Sequence, residues 1–175
     1  MSNPGPLIRP ANASDHAAVV RVLNDWWDGR PVSDMLPRLF FVHFRHTTFV
    51  AERDGRLAGF LCGFFSQTFA AEAYIHFVGV HPEERKCGLG RSLYERFFEV
   101  CRGAGRSVVR CVTSPANKVS IAFHRRLGFQ IEPGNGEVDG IPVTQDYDGM
   151  AGSRVLFTRL LAGPEDPAAL VRRER

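Results

Sequence analysis

Arg85-Lys86-Cys87-Gly88-Leu89-Gly90-Arg91-Ser92 is the stretch on which the reading of the chain turns. Before it runs an alternating apolar segment, Tyr74-Ile75-His76-Phe77-Val78-Gly79-Val80. After it, Leu89, Leu93, Phe97 and Val100/Cys101 recur at helical spacing. The octet therefore reads as a turn between a strand and a helix N-terminus. Its glycines let the backbone turn tightly and let a ligand come close. The first turn of a helix carries unpaired N–H groups and a partial positive charge, which suits a phosphate. Two arginines, a lysine and the Ser92 hydroxyl lie in the same eight residues. The expectation is an anion site for a phosphate-bearing cofactor.

The spacing narrows the choice of cofactor. A P-loop needs Gly-Lys followed by Ser or Thr after a four-residue gap, and none is present. A dinucleotide fingerprint needs a small residue where this chain has Leu93, too large for close helix–strand packing. What remains is Arg-x-x-Gly-x-Gly.

Composition sets the outer bounds. A chain of 175 residues with 44% hydrophobic content predicts one domain with a sizeable core. No apolar run approaches a membrane span, and Met1 to Pro6 lacks a signal-peptide pattern. Cys62, Cys87, Cys101 and Cys111 have no metal or CxxC spacing, so free thiols, no bound metal and a cytoplasmic location are expected. Residues 85–126 hold ten Lys/Arg against Glu95 and Glu99, a net +8, while the flanks come to −2 and −3. A basic middle between acidic ends fits an anionic ligand. A nucleic-acid patch is the competing reading, but no helix-turn-helix, zinc-finger or RNP pattern accompanies the charge.

Taken in order, Leu7 to Pro10 reads as a short strand. Ser14 or Asp15 caps a helix to about Trp27 with Val19, Leu23 and Trp26/Trp27 on one face. Ser33/Asp34 is read as the cap of a second helix burying Leu36, Leu39, Phe40, His43 and Phe44, with His43 at the core edge. Thr48–Glu52 and Leu57–Phe65 form a hairpin around Asp54-Gly55. Glu72–Val80 is a strand, Ser107–Val112 another, Asn117–Leu127 a helix ended by Gly128, and Phe129–Ile131 a strand. Residues 133–152 read as a long loop or an interrupted hairpin before a last strand, 154–160. The crossover from residue 74 to 112 is a βαβ unit.

Arg85 to Gly90 resembles the acetyl-CoA signature of the GNAT acetyltransferases, Gln/Arg-x-x-Gly-x-Gly/Ala. Asn117 to Phe129, an Asn, a helix, an aromatic and then Gly-Phe, is similar to the second cofactor motif of that family. The Ala51–Phe60 hairpin and Val80-His81-Pro82 also look like the family. The resemblance implies an α/β fold: a mixed, mostly antiparallel central sheet, splayed at the cofactor strand and flanked by helices. It covers residues 6–161 as one domain and leaves 162–175 as a C-terminal tail.

The same resemblance implies acetyl transfer from acetyl-CoA to a primary amine. Arg85, Lys86, Cys87, Gly88, Leu89, Gly90, Arg91 and Ser92 would hold the pyrophosphate. Phe77, Val78 and Val80 would offer the pantetheine arm a strand edge, with Gly79 permitting a bulge. Asn117, Ser120, Phe123 and His124 would complete the cofactor contacts. A backbone N–H near Val78 would stabilise the oxyanion. The attacking amine must lose a proton, and His76 or Glu72, on one face of the cofactor strand, is the candidate base, unless water serves. His76 is the first choice because imidazole titrates near neutrality.

Where many relatives have a Tyr as general acid, this chain has His124. The imidazolium, water, Tyr147 or Tyr94 are the candidate donors. Trp26, Trp27 and Tyr147, among Asp25, Asp28, Asp34, Asp146 and Asp148, are expected to face a small-molecule amine. Expected partners are that amine and, as in many relatives, a second copy of the chain; neither nucleic acid nor membrane is expected. A peptide or protein acetyltransferase and a non-catalytic acyl-CoA-binding module are the alternatives.

Overall fold

Strand alternation and turn chemistry account for the first sheet. The structure, a computed structural model, describes residues 5–150 and 152–161; the expected tail 162–175 lies outside the described residues. β1 (Leu7–Pro10) pairs antiparallel with β2 (Thr48–Arg53), and β2 with β3 (Arg56–Phe65). Asp54 at φ +50° and Gly55 at φ +74° make the tight turn between them, as the Asp-Gly pair predicts. β4 (Glu72–Val80) lies next to β3. Packing divides the described residues into two compact units, 5–65 with Ile75–Val100, and Ser66–Tyr74 with 101–150 and 152–161.

In the first unit, helix α1 (Asp15–Trp26) buries Val19, Leu23 and Trp26 against Phe41, Val50 and Phe60. Ser14 makes no side-chain cap. The Asp15 carboxylate instead accepts from the Asn12 N–H and both Nη groups of Arg9. The second helix is not continuous. Leu36 precedes Pro37 and is extended, at φ −117° and ψ 84°, because the proline ring disfavours a helical predecessor. The segment breaks into a 3-10 turn at Ser33–Met35, the single turn α2 (Leu39–Val42) and another 3-10 turn at Arg45–Thr47. Leu36, Phe40 and Phe41 are buried, whereas Leu39 and His43, expected inside, are exposed.

Helix α3 (Leu89–Gly103) buries Leu89, Leu93 and Phe97, the expected stripe, together with Tyr94 and Phe98.

The second unit is ordered β4, β5 (Val108–Thr113), β9 (Val155–Leu160), β6 (Gln130–Ile131). β4 and β5 run parallel, paired Glu72↔Val108, Ala73↔Val109 and Tyr74↔Arg110, as the βαβ reading requires. β9 is antiparallel to both β5 and β6. Helix α4 (Lys118–Arg126) packs Ile121 and His124 inward. It ends at Gly128, φ +83°, with the Phe129 N–H on the His124 carbonyl. Within the expected loop, β7 (Gly136–Val138) and β8 (Ile141–Val143) form a short hairpin around Asp139-Gly140.

Candidate active site

The glycine turn is shaped by Lys86 at φ +66° and Gly88 at φ +88°. At φ +88° an L side chain is strained, which is why position 88 takes glycine. A Cβ there would meet nothing within 4 Å, so the space above it is open to a ligand. The Arg85 N–H donates to the Pro82 carbonyl at 3.3 Å, and the next N–H of the turn with a carbonyl partner is that of Ser92, on Gly88 at 3.0 Å. The N–H groups from Lys86 to Arg91 make no well-formed hydrogen bond to a carbonyl among the described residues, and residues 85–88 close only a loose turn. These groups open α3 and are exposed or half-buried, except at Leu89. This is the arrangement an anion needs.

Not all the expected anchors are free for that task. The Arg85 guanidinium donates to the Val80 carbonyl at 3.2 Å and to the Trp26 carbonyl at 2.6 Å. It ties the C-terminal end of α1 to the end of β4. The Ser92 hydroxyl turns back on the Gly88 carbonyl at 3.3 Å. The Leu89 side chain is core. Lys86, Cys87 and Arg91 remain exposed.

On β4 the even residues are the more accessible and Ala73, Ile75 and Gly79 are buried. His76 is exposed, stacks on Phe40 at 4.7 Å with an interplanar angle of 6°, and places Nε2 2.8 Å from the Met35 carbonyl oxygen. A carbonyl only accepts, so this contact assigns a hydrogen to Nε2. Glu72 differs. Its Oε2 accepts from Arg110 Nε at 2.9 Å, and Arg110 also donates to Glu132 and Thr158. Glu72 is thus part of an ion-pair network.

Gly79 serves packing. A Cβ there would lie 2.5 Å from Phe60 Cε1 and 2.9 Å from Trp27 Cη2. Phe77, Val78 and Val80 are half-buried, with Phe77 5.2 Å from the Trp27 ring. Trp26, expected to face substrate, is a core residue stacked on Phe60 and edge-on to His81. Trp27 is half-buried.

In the second unit, the Asn117 side chain caps α4 by accepting from the Ser120 N–H at 3.1 Å. Phe123 is half-buried. His124 is 6% exposed and stacks on Phe157 at 4.8 Å. Its Nδ1 lies 2.8 Å from the Ser120 carbonyl, which assigns the hydrogen to Nδ1. Burial pushes its pKa below the usual imidazole value, against a smaller upward push from the Ser120 carbonyl. The ring is therefore held neutral with Nε2 unprotonated, which opposes a role as imidazolium acid. Tyr94 is buried against Phe98.

Tyr147 is exposed and hydrogen-bonded to Tyr74, a residue the sequence reading passed over. Burial, followed by Tyr147, raises the Tyr74 phenol above its ordinary pKa. Tyr74 stands two positions before His76 on the same strand, and that parity was the available signal. Among the described residues no group of His, Cys, Asp or Glu forms a metal site, and no helix is long and apolar enough to cross a membrane. All four cysteines are free thiols.

Comparison with known proteins accords with this geometry. The family model described as "Acetyltransferase (GNAT) family" matches residues 17–129. The chain is 30% identical over 129 residues to an L-2,4-diaminobutyric acid acetyltransferase of Nocardia farcinica, covering 71% of this chain and 67% of that protein. It is 27% identical over 137 residues to the L-amino acid N-acyltransferase MnaT of Escherichia coli, covering 71% and 79%. Its fold resembles the diaminobutyrate acetyltransferase EctA of Paenibacillus lautus, solved with L-2,4-diaminobutyric acid and coenzyme A, at TM-score 0.63, 19% identity and 91% and 95% coverage. With its glycine turn, its parallel β4–β5 pair and a family match over most of its length, the chain belongs to the GNAT family of acetyltransferases, which use acetyl-CoA as acetyl donor.

Proposed function

We propose that this enzyme moves the acetyl group of acetyl-CoA onto a primary amine of a small molecule, by direct attack in a ternary complex. The observation that carries the reading is the run of N–H groups from Lys86 to Arg91 at the start of α3, which make no well-formed hydrogen bond to a carbonyl among the described residues. Such a run fits a diphosphate, and the open space above Gly88 admits one. Lys86 and Arg91 add positive charge, while Arg85 braces the turn through Val80 and Trp26. The relatives' acceptors, diaminobutyrate and L-amino acids, support a small-molecule substrate.

The thioester supplies an activated acyl group with a thiolate as its leaving group. The chain's own residues do the rest. The backbone of β4 from Phe77 to Val80 would offer its edge to the pantetheine amides. The Val78 N–H stabilises negative charge growing on the thioester oxygen. His76 Nδ1 takes the proton of the attacking amine, with the Met35 carbonyl and the Phe40 ring holding the imidazole in that orientation. Glu72 is committed to Arg110, and neutral His124 packs the cofactor end of α4. The thiolate takes its proton from water.

A thiol-release assay with acetyl-CoA against polyamines, amino acids, aminoglycosides and peptides tests this. Amine-dependent CoA release with at least one small molecule is expected. Release with peptides alone would point to a protein acetyltransferase. Acetyl-CoA binding without release would leave a binding module.

A further inference from the structure

Beside β4 the second unit has a cavity of about 150 Å³ lined by Tyr74, Arg110, Glu132, Tyr147 and Leu156 among others. It joins a strand, a neighbouring strand and the long loop around one guanidinium. Glu72 holds Arg110 Nε, and Glu132 with Thr158 holds Nη1. Arg110 Nη2 donates to nothing among the described residues, so its two N–H groups are unspent. One oxygen of Glu132 is already taken by Arg110 and Thr158, and the other has no partner among the described residues. A guanidinium pinned on two sides has lost little freedom still to be lost on binding, and its free nitrogen suits a carboxylate. Glu72, Glu132 and Arg110 together carry one net negative charge. A bare anion is thus disfavoured, and a ligand bearing an ammonium beside its carboxylate is matched. The Tyr74 and Tyr147 phenols add neutral hydrogen-bonding groups on the rim.

We infer that this cavity holds the zwitterionic head of an amino acid, its carboxylate on Arg110 Nη2 and its α-ammonium on Glu132. The α-amine is then kept charged and cannot attack, so the acetylated group is a second amine on the acceptor's side chain. The acceptor class is the diamino acids. The inference rests on the acetyl-transfer reading for its reaction but not for its binding.

The test uses matched pairs: L-2,4-diaminobutyrate against 1,3-diaminopropane, ornithine against putrescine, and lysine against cadaverine. Each pair differs only by the carboxylate. For at least one pair, wild-type kcat/KM is expected to favour the acid at least tenfold, with the product acetylated on the side-chain amine. In Arg110→Lys, which keeps the charge but loses the planar fork, that ratio should fall at least tenfold. Because the ratio is taken within one protein, a partly folded variant does not mimic the effect. Calorimetric binding of the same pairs to CoA-saturated enzyme gives a second readout. Binding that favours the acid, lost in Arg110→Lys but without thiol release, would sustain the cavity and remove acetyl transfer. Thiol release with no preference for any acid, a ratio unmoved by Arg110→Lys, or acetylation at the α-amine would overturn the cavity and leave acetyl transfer standing. Neither binding nor release would overturn both.

Discussion

His124→Phe separates a buried structural histidine from a catalytic acid. The native ring is 6% exposed, between Phe157 and the Ser120 carbonyl, and burial holds its pKa down. In the unfolded chain the same imidazole titrates near its ordinary value of about 6.5. Below that pH the unfolded state binds a proton that the native state refuses. Stability is therefore full above about pH 6.5 and is lost as pH falls. From pH 7.5 to 5.5 the loss reaches at most about 1.4 kcal/mol, the free energy of one proton over one unit past the unfolded pKa. For a chain of this size that is a Tm change of about 3–6 °C. Phenylalanine keeps the stacking and removes the proton. Calorimetric Tm values of wild type and variant at both pH values, each in acetate–phosphate buffer, read the effect, because every other titrating group is common to the two. The wild type should lose several degrees more than the variant between pH 7.5 and 5.5, and kcat in the variant should stay within about threefold. Equal pH sensitivity would refute the buried neutral ring. A hundredfold fall in kcat with unchanged acetyl-CoA affinity would show that the ring delivers the proton after all.

Two further outcomes follow from the first unit. Gly79→Ala places a methyl 2.5 Å from the Phe60 ring and 2.9 Å from Trp27, so overpacking should cost about 1–3 kcal/mol, seen as a lower urea midpoint with an unchanged m-value. His76→Gln keeps an N–H for the Met35 carbonyl but removes the basic nitrogen. Its kcat should fall about a hundredfold while the acetyl-CoA KM holds, and the deficit should shrink as rising pH deprotonates the amine without help.

Much of the fold is legible because its causes are local. Asp54-Gly55 makes a left-handed two-residue turn from its own chemistry, and the α3 stripe of Leu89, Leu93 and Phe97 needs only the helical period. Pro37 was an equally local signal that the apolar spacing of 36–44 obscured; its effect on Leu36 broke the expected helix. Asp139-Gly140 repeats the Asp-Gly turn, but its flanking strands are three residues each, too short for alternation to show. The site divides along the same line. The glycine turn and the Asn117 cap are local and visible. Arg85 holding the Trp26 carbonyl spans 59 residues, and Arg110 joining Glu72, Glu132 and Thr158 spans up to 48. Such roles exist only once the strands are paired. The burial of Trp26 likewise depends on Phe60 and His81, which pattern alone does not bring together.

The central claim is that the turn from Lys86 to Arg91 binds the diphosphate of acetyl-CoA, and titration calorimetry of acetyl-CoA into wild type and Gly90→Glu tests it most directly. A carboxylate placed among these N–H groups occupies and repels where the diphosphate would sit. Saturable binding to the wild type, and none to a variant with native circular dichroism and a cooperative melt, is the predicted result. Wild-type affinity in folded Gly90→Glu would contradict it.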